Sequence, residues 1–232
     1  VWERTKQANG RDRIMRGEVA GKAANHYKLY KEDVKLIADF GLNAYRFSIE
    51  WSRIEPEEGR FDQAAIDRYR AMLLGLRQRG IEPMVTLHHF TLPRWFAAAG
   101  GFTLDANRTG AWTRHVDWMA ETFGDLVGGW QPINEANLYA LLHYGGFGFP
   151  PAHDDLAETA LVDEQIQLAN AEAAVRLKQT GKPVASIFGL ASRRTPSSII
   201  DCRSSSASQR TCMPTLTDSP PMLSASVRTR TR

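Results

Sequence analysis

A chain of 232 residues, 43% hydrophobic and 24% charged, is long enough for one substantial core and has the composition of an ordinary globular protein. No apolar run approaches the ~18 residues of a membrane-spanning helix, so no membrane partner is expected. The net charge of +3 hints at nucleic acid, but residues 191–232 carry seven Arg against Asp201 and Asp218, which leaves the first 190 residues at −2 and predicts no nucleic-acid face.

In chain order, Tyr30, Val34, Ile37 and Phe40 fall at helical spacing within 27–40, and Gly41 stands ready to close the helix. Ala44–Ile49 is a short β-rich run. Asp62 can cap a helix whose stripe is Ile66, Tyr69, Leu73 and Leu76, with Gly80 at its end. Pro83–Leu87 reads as the next strand. Trp112, Val116, Met119 and Phe123 mark an amphipathic helix, and Trp130–Ile133 a third strand. Val162, Ile166, Ala169, Ala173 and Leu177 mark a further helix, and Pro183–Phe188 a fourth strand.

Strands separated by helices predict βαβ units and a parallel sheet. A doubly wound nucleotide binder would carry a G-x-G-x-x-G turn after its first strand, and none occurs. A barrel instead gathers polar residues at the C-terminal ends of successive strands. Ser48 and Glu50, then His88 and His89, then Asn134 and Glu135 occupy those ends. The expected fold is therefore α/β, a (β/α)8 TIM barrel of which only the N-terminal part is present.

Residues 191–232 break the pattern. Of these 42 residues, 27 are Ser, Thr, Arg or Pro and none is aromatic, and the only cysteines, Cys202 and Cys212, lie here. The expected organisation is a partial barrel over 1–190 and an aberrant tail over 191–232, either disordered or read from a slipped coding frame. The cysteine-free body excludes a disulfide framework or a cysteine metal site there. With no signal-like apolar segment at Val1, a cytoplasmic location is the expectation, and secretion stays open.

Glu135, in the run Trp130-Gln131-Pro132-Ile133-Asn134-Glu135-Ala136-Asn137, is a carboxylic acid beside an amide at a strand end. Retaining glycoside cleavage needs two carboxyl groups about 5–5.5 Å apart, one acid/base and one nucleophile. Alone, an Asn-Glu pair reads equally well as a helix N-cap. Longer motifs change the balance. Tyr45-Arg46-Phe47-Ser48-Ile49, followed by Trp51-Ser52-Arg53-Ile54 and Pro56, closely resembles the second-strand signature of family 1 glycoside hydrolases. Pro83 through Pro93, with Leu87-His88-His89-Phe90-Thr91-Leu92, resembles that family's third-strand motif, and Ile133-Asn134-Glu135 its fourth. The likeness covers roughly residues 1–190.

The resemblance implies a retaining β-glycosidase, with a β-glucoside as the default among small-molecule β-glycosides and oligosaccharides, and no cofactor or metal. Glu135 matches the acid/base, a role that requires it to hold a proton while the nucleophile is ionised. Asn134 matches the residue that binds the sugar 2-hydroxyl, and His89 a histidine that contacts the sugar. Arg46 matches a buried arginine that keeps the nucleophile ionised. Trp130 is expected in the wall of the sugar platform, with a core tryptophan as the alternative. Ala136 stands where the family usually has Pro, and Phe90-Thr91 where it usually has an aromatic-acid pair. The family's first strand would precede Val1, and the Thr-Glu-Asn-Gly run that carries the nucleophile does not occur in these residues. Glu158, Glu164 and Glu172 read as solvated helix charges. A zinc hydrolase using His88, His89, His143 and Glu135 is disfavoured, because adjacent strand histidines face opposite ways. A truncated, non-catalytic barrel fragment is the remaining alternative.

Overall fold

A computed structural model describes Lys6 and residues 10–189. The segment 191–232, with Cys202 and Cys212, lies outside the described residues. Three strands, β1 (Ala44–Ser48), β2 (Glu82–His88) and β3 (Gly129–Ile133), form a parallel sheet in sequential order. Where the sequence predicts a fourth strand, two isolated parallel bridges join the chain to β3 and the residue after it, Trp130 with Val184 and Asn134 with Ile187. The order never reverses, so the sheet advances in one direction, as in a barrel wall and unlike a doubly wound sheet. The described residues hold this arc alone; the expected eight-stranded closure is not within them.

The helices follow their sequence signals where an apolar stripe exists. They are α1 (His26–Asp39), α2 (Trp51–Ile54), α3 (Gln63–Arg77), α4 (Arg94–Ala98), α5 (Asp105–Asn107), α6 (Thr113–Phe123), α7 (Ala136–Tyr144) and α8 (Leu156–Lys178). In α3, Asp62 accepts a hydrogen bond from the Ala65 amide at 3.1 Å, and Ile66, Tyr69, Leu73 and Leu76 are all buried. Gly80, at φ +70°, turns the chain out of that helix toward β2, a conformation that costs a glycine nothing. Trp112 closes a π-helical turn over Arg108–Trp112 that runs into α6. Helix α8 begins six residues before its first stripe residue, Val162. Asp155 caps it through the amides of Ala157 and Glu158, at 2.8 and 3.0 Å, and its opening residue Leu156 is exposed. Glu172, expected as a solvated charge, keeps 41% of its side chain exposed while it pairs with the buried Arg108, which also bonds Asp105 and Gln165 and so ties α8 to the turn before α6.

Strand register sets which side chains meet. Phe47, Val85 and Trp130 are paired across the sheet, as are Ser48, Thr86 and Gln131. Side chains alternate along a strand, so the first set faces the helices and the second faces away. The helix side holds the core. Trp51 packs on Trp95, Phe96, Trp112 and His115, with ring centroids 4.2–5.9 Å apart. Such aromatic pairs contribute about 0.5–1.5 kcal/mol each beyond the apolar area they bury.

Candidate active site

The site grows from the C-terminal ends of β1, β2 and β3. Glu135 follows β3 and occupies the N-cap position of α7, with its backbone carbonyl accepting from the amides of Leu138 and Tyr139 at 2.9 Å each. Its carboxylate does not cap the helix. The residue sits at φ +47°, ψ +56°, a left-handed conformation that costs a side chain with a Cβ about 1–2 kcal/mol. Two sheet contacts hold it there: the Glu135 amide donates to the Ile187 carbonyl at 3.0 Å, and the Asn134 amide to that of His88 at 2.9 Å. Strain of this kind persists only where the surroundings over-determine it, and it gathers at functional positions.

The Glu135 carboxylate instead accepts from Asn134 Nδ2 at 3.2 Å. Asn134 Oδ1 in turn accepts from Arg46 Nη1 at 2.9 Å, an interaction that spans from β3 to β1. The guanidinium can only donate, so it fixes which way the Asn134 amide points, with oxygen toward Arg46 and nitrogen toward Glu135. Arg46 is itself steadied by Gln131, whose Oε1 accepts from Arg46 Nη1 and from Thr86 Oγ1, the latter at 2.9 Å. Gln131 is fully buried in an otherwise apolar strand, and sequence reasoning passed over it. That lone polar side chain within β3 was the available signal, since a buried amide needs partners.

His89 is exposed on the rim of a cleft of about 350 Å³ that follows β1 and is also lined by Arg46, Ser48, Glu50, Tyr69 and Thr86. Partial burial and the neighbouring Arg46 push its pKa below the ordinary histidine value, while Glu135 and Glu50 oppose them. The imidazole is thus biased toward its neutral form, able to donate from one nitrogen and accept at the other. Glu50 stands at the same cleft. Its Oε2 accepts from Thr91 Oγ1 at 2.7 Å and its Oε1 from Ser52 Oγ at 2.8 Å.

Arg46, His89, Asn134 and Glu135 are therefore brought to one end of the sheet. Two expectations change. Arg46 is exposed rather than buried, because β1 pairs on one side only among the described residues. Trp130 does not reach the cleft. Register with Phe47 and Val85 turns it to the helix side, where it is wholly buried and donates from Nε1 to Thr180 Oγ1 at 3.1 Å. The alternative reading, a core tryptophan, describes it. His88 also parts from His89: it is buried against Phe102, Trp112 and Tyr139. Among the described residues no group of three or more His, Cys, Asp or Glu side chains is placed to hold a metal ion. No helix among them is long and apolar enough to cross a membrane.

Comparison with known proteins agrees with this geometry. The family model for glycosyl hydrolase family 1 matches residues 1–211, which takes in the barrel arc and 21 residues past Leu190. The human cytosolic beta-glucosidase is 36% identical over 153 residues, covering 65% of this chain and 32% of the relative. Beta-glucosidase 11 of Arabidopsis thaliana is 40% identical over 153 residues, covering 66% of this chain and 29% of the relative. The chain thus spans about a third of the length of the curated relatives it matches. Among solved structures, a beta-glucosidase from Thermotoga maritima in complex with glucoimidazole superposes with a TM-score of 0.74 at 28% identity, over 81% of this chain and 42% of that one. With motif order, strand-end polar residues and a family match over most of its length in agreement, the chain belongs to glycosyl hydrolase family 1.

Proposed function

We propose that this chain supplies the acid/base half of a retaining β-glycosidase acting on β-glucosides. The observation that carries the reading is the Glu135 carboxyl, which stands at a helix N-cap position yet leaves the cap unmade and turns to an amide held by Arg46. Glu135 gives its proton to the glycosidic oxygen as the bond to the anomeric carbon breaks and a second carboxylate bonds that carbon. Glu135 then takes a proton from water, whose oxygen displaces the second carboxylate and frees the sugar. Asn134, fixed by Arg46, offers its amide to the sugar 2-hydroxyl, and His89 binds a further hydroxyl at the rim. The beta-glucosidase names of the relatives support glucoside over other β-glycosides.

The second carboxylate belongs, on this reading, to a Thr-Glu-Asn-Gly run, and none of the 232 residues forms one. The composition of residues 191–232 supports a slipped coding frame, which reading the DNA in all frames across codons 180–200 would test. The deciding experiment for the chemistry replaces Glu135 with Gln in a family member carrying these residues together with the nucleophile. Hydrolysis of an aryl β-glucoside should fall by about 10²–10⁴-fold, the usual contribution of general acid-base catalysis. A loss below threefold would remove Glu135 from the mechanism.

A further inference from the structure

We propose that Glu50 is a positioning residue that clamps the loop after β2 onto the loop after β1 and so holds His89 in the cleft. The loop after β2 cannot keep its shape alone. Phe90, directly after His89, sits at φ +69°, a left-handed conformation that costs a bulky L-residue about 1–2 kcal/mol. Something outside the loop must hold it. On one side the Phe90 ring packs against His143 and Tyr139, with centroids 5.9 and 6.4 Å apart. On the other side Thr91 is tied down directly, its hydroxyl donating to Glu50 Oε2 at 2.7 Å.

Glu50 is a firm anchor. Its Oε1 accepts from the Ser52 hydroxyl at 2.8 Å and from the Ser52 amide at 3.3 Å, and its own amide donates to Tyr69 Oη at 3.2 Å. Charge-assisted acceptance of this kind is stronger than a neutral hydrogen bond. The clamp joins residues 41 apart in sequence and crosses from the end of β1 to the end of β2. It also leaves the carboxylate facing His89 together with Glu135, against Arg46. With the clamp released, Phe90 relaxes toward negative φ, and the turn that presents the His89 ring to the cleft is lost.

The inference deepens the glycosidase reading by naming what holds one of its sugar-contacting groups, and its first test does not depend on that reading. The imidazole C–H signals of the full chain are titrated by NMR in the unaltered protein and in Thr91→Val, Thr91→Ser and Glu50→Gln. Thr91→Val should free the loop, so that His89 titrates close to an ordinary solvent-exposed histidine. Thr91→Ser, which keeps the hydroxyl, should titrate as the unaltered chain does. Glu50→Gln keeps an acceptor and removes the charge, so His89 should titrate at lower pH. His88 reports folding in the same spectra, since it stays neutral down to about pH 3 only inside its packed core. If Thr91→Val unfolds that core, Thr91→Ala, which removes the hydroxyl without adding a methyl group, decides by the same outcome. The proposal is overturned if Thr91→Val leaves the His89 titration unmoved in a folded chain, if Thr91→Ser moves it as far as Val does, or if Glu50→Gln does not lower it. Glucoimidazole is added in a second arm. Failure of the unaltered chain to respond to it counts against sugar binding by this chain and not against the clamp, which stands or falls on the titrations.

Discussion

The packed interior and the strand-end cleft make opposite use of polar side chains, and the adjacent residues His88 and His89 mark the border. In the interior, His88 and His115 are buried among aromatic rings, and neither ring nitrogen of either residue has a hydrogen-bond partner among the described residues. Burial pushes both pKa values down to about 3, so both rings are neutral and serve as flat packing surfaces. At the strand ends, Arg46, Gln131, Asn134 and Glu135 form a connected chain of hydrogen bonds, and His89 stands beside it within reach of water. One region uses its polar groups for shape, the other for direction. Chemistry needs the second kind, because a general acid works only where its proton is aimed.

That contrast can be broken at several points. The largest effect should come from Glu55, a fully buried carboxylate on the helix side that accepts from Trp51 Nε1 at 2.8 Å, the Gly59 amide at 2.7 Å and the Arg114 guanidinium. Removing that carboxylate leaves Trp51 Nε1 and the Gly59 amide without their acceptor, and a buried group left unpaired costs about 1–3 kcal/mol. Chemical denaturation of Glu55→Ala should show a loss of that size; a loss under 1 kcal/mol would mean the aromatic core does not depend on it.

Acid should act on the packed interior. The unfolded chain takes up protons on His88 and His115 near pH 6.5, while the folded chain resists until about pH 3. Stability is therefore whole above pH 6.5 and declines as pH falls from there toward 3. Replacing His88 with Phe should flatten that decline between pH 6.5 and 4, and an unchanged slope would contradict the burial of a neutral ring.

Trp130 tests the border directly. Trp130→Phe removes the bond to Thr180 and opens a small cavity, so it should cost about 2 kcal/mol of stability. Sugar-analogue affinity should not change, and a clear loss of affinity would return Trp130 to the cleft.

The smallest effect has the opposite sign. Glu135→Gly relieves the left-handed strain, and thermal unfolding should show a gain of about 1 kcal/mol. A destabilised variant would show that the Glu135 side chain contributes to the fold as well as to the proposed chemistry.

Much of this was legible in the residues, for physical reasons. Asp62 with Ile66, Tyr69, Leu73 and Leu76 announced α3, because a cap and a stripe are local features of a helix. Helices α4 and α7 were not anticipated. Helix α7 is apolar nearly all round, and α4 is a single short stretch, so neither shows a one-sided stripe. The motifs around Arg46, His89 and Glu135 carried the family and put these residues at neighbouring strand ends. Local sequence also offered two uses for Glu135, N-cap or acid, and two for Trp130, wall or core, without choosing between them.

Only tertiary structure chose. Whether Trp130 faces helices or cleft depends on the register of β3 against β2, and a slip of one residue would reverse it. The Glu135 carboxylate turns to Asn134 because Arg46, 88 residues before Asn134 in the chain, fixes that amide across two strands. The sequence by itself determined the three paired strands, the capped or striped helices, their order and the family, since helix caps, stripes and motifs are short-range patterns. Contacts between residues far apart in the chain determined which side chains meet, because strand pairing and burial exist only once the sheet has formed.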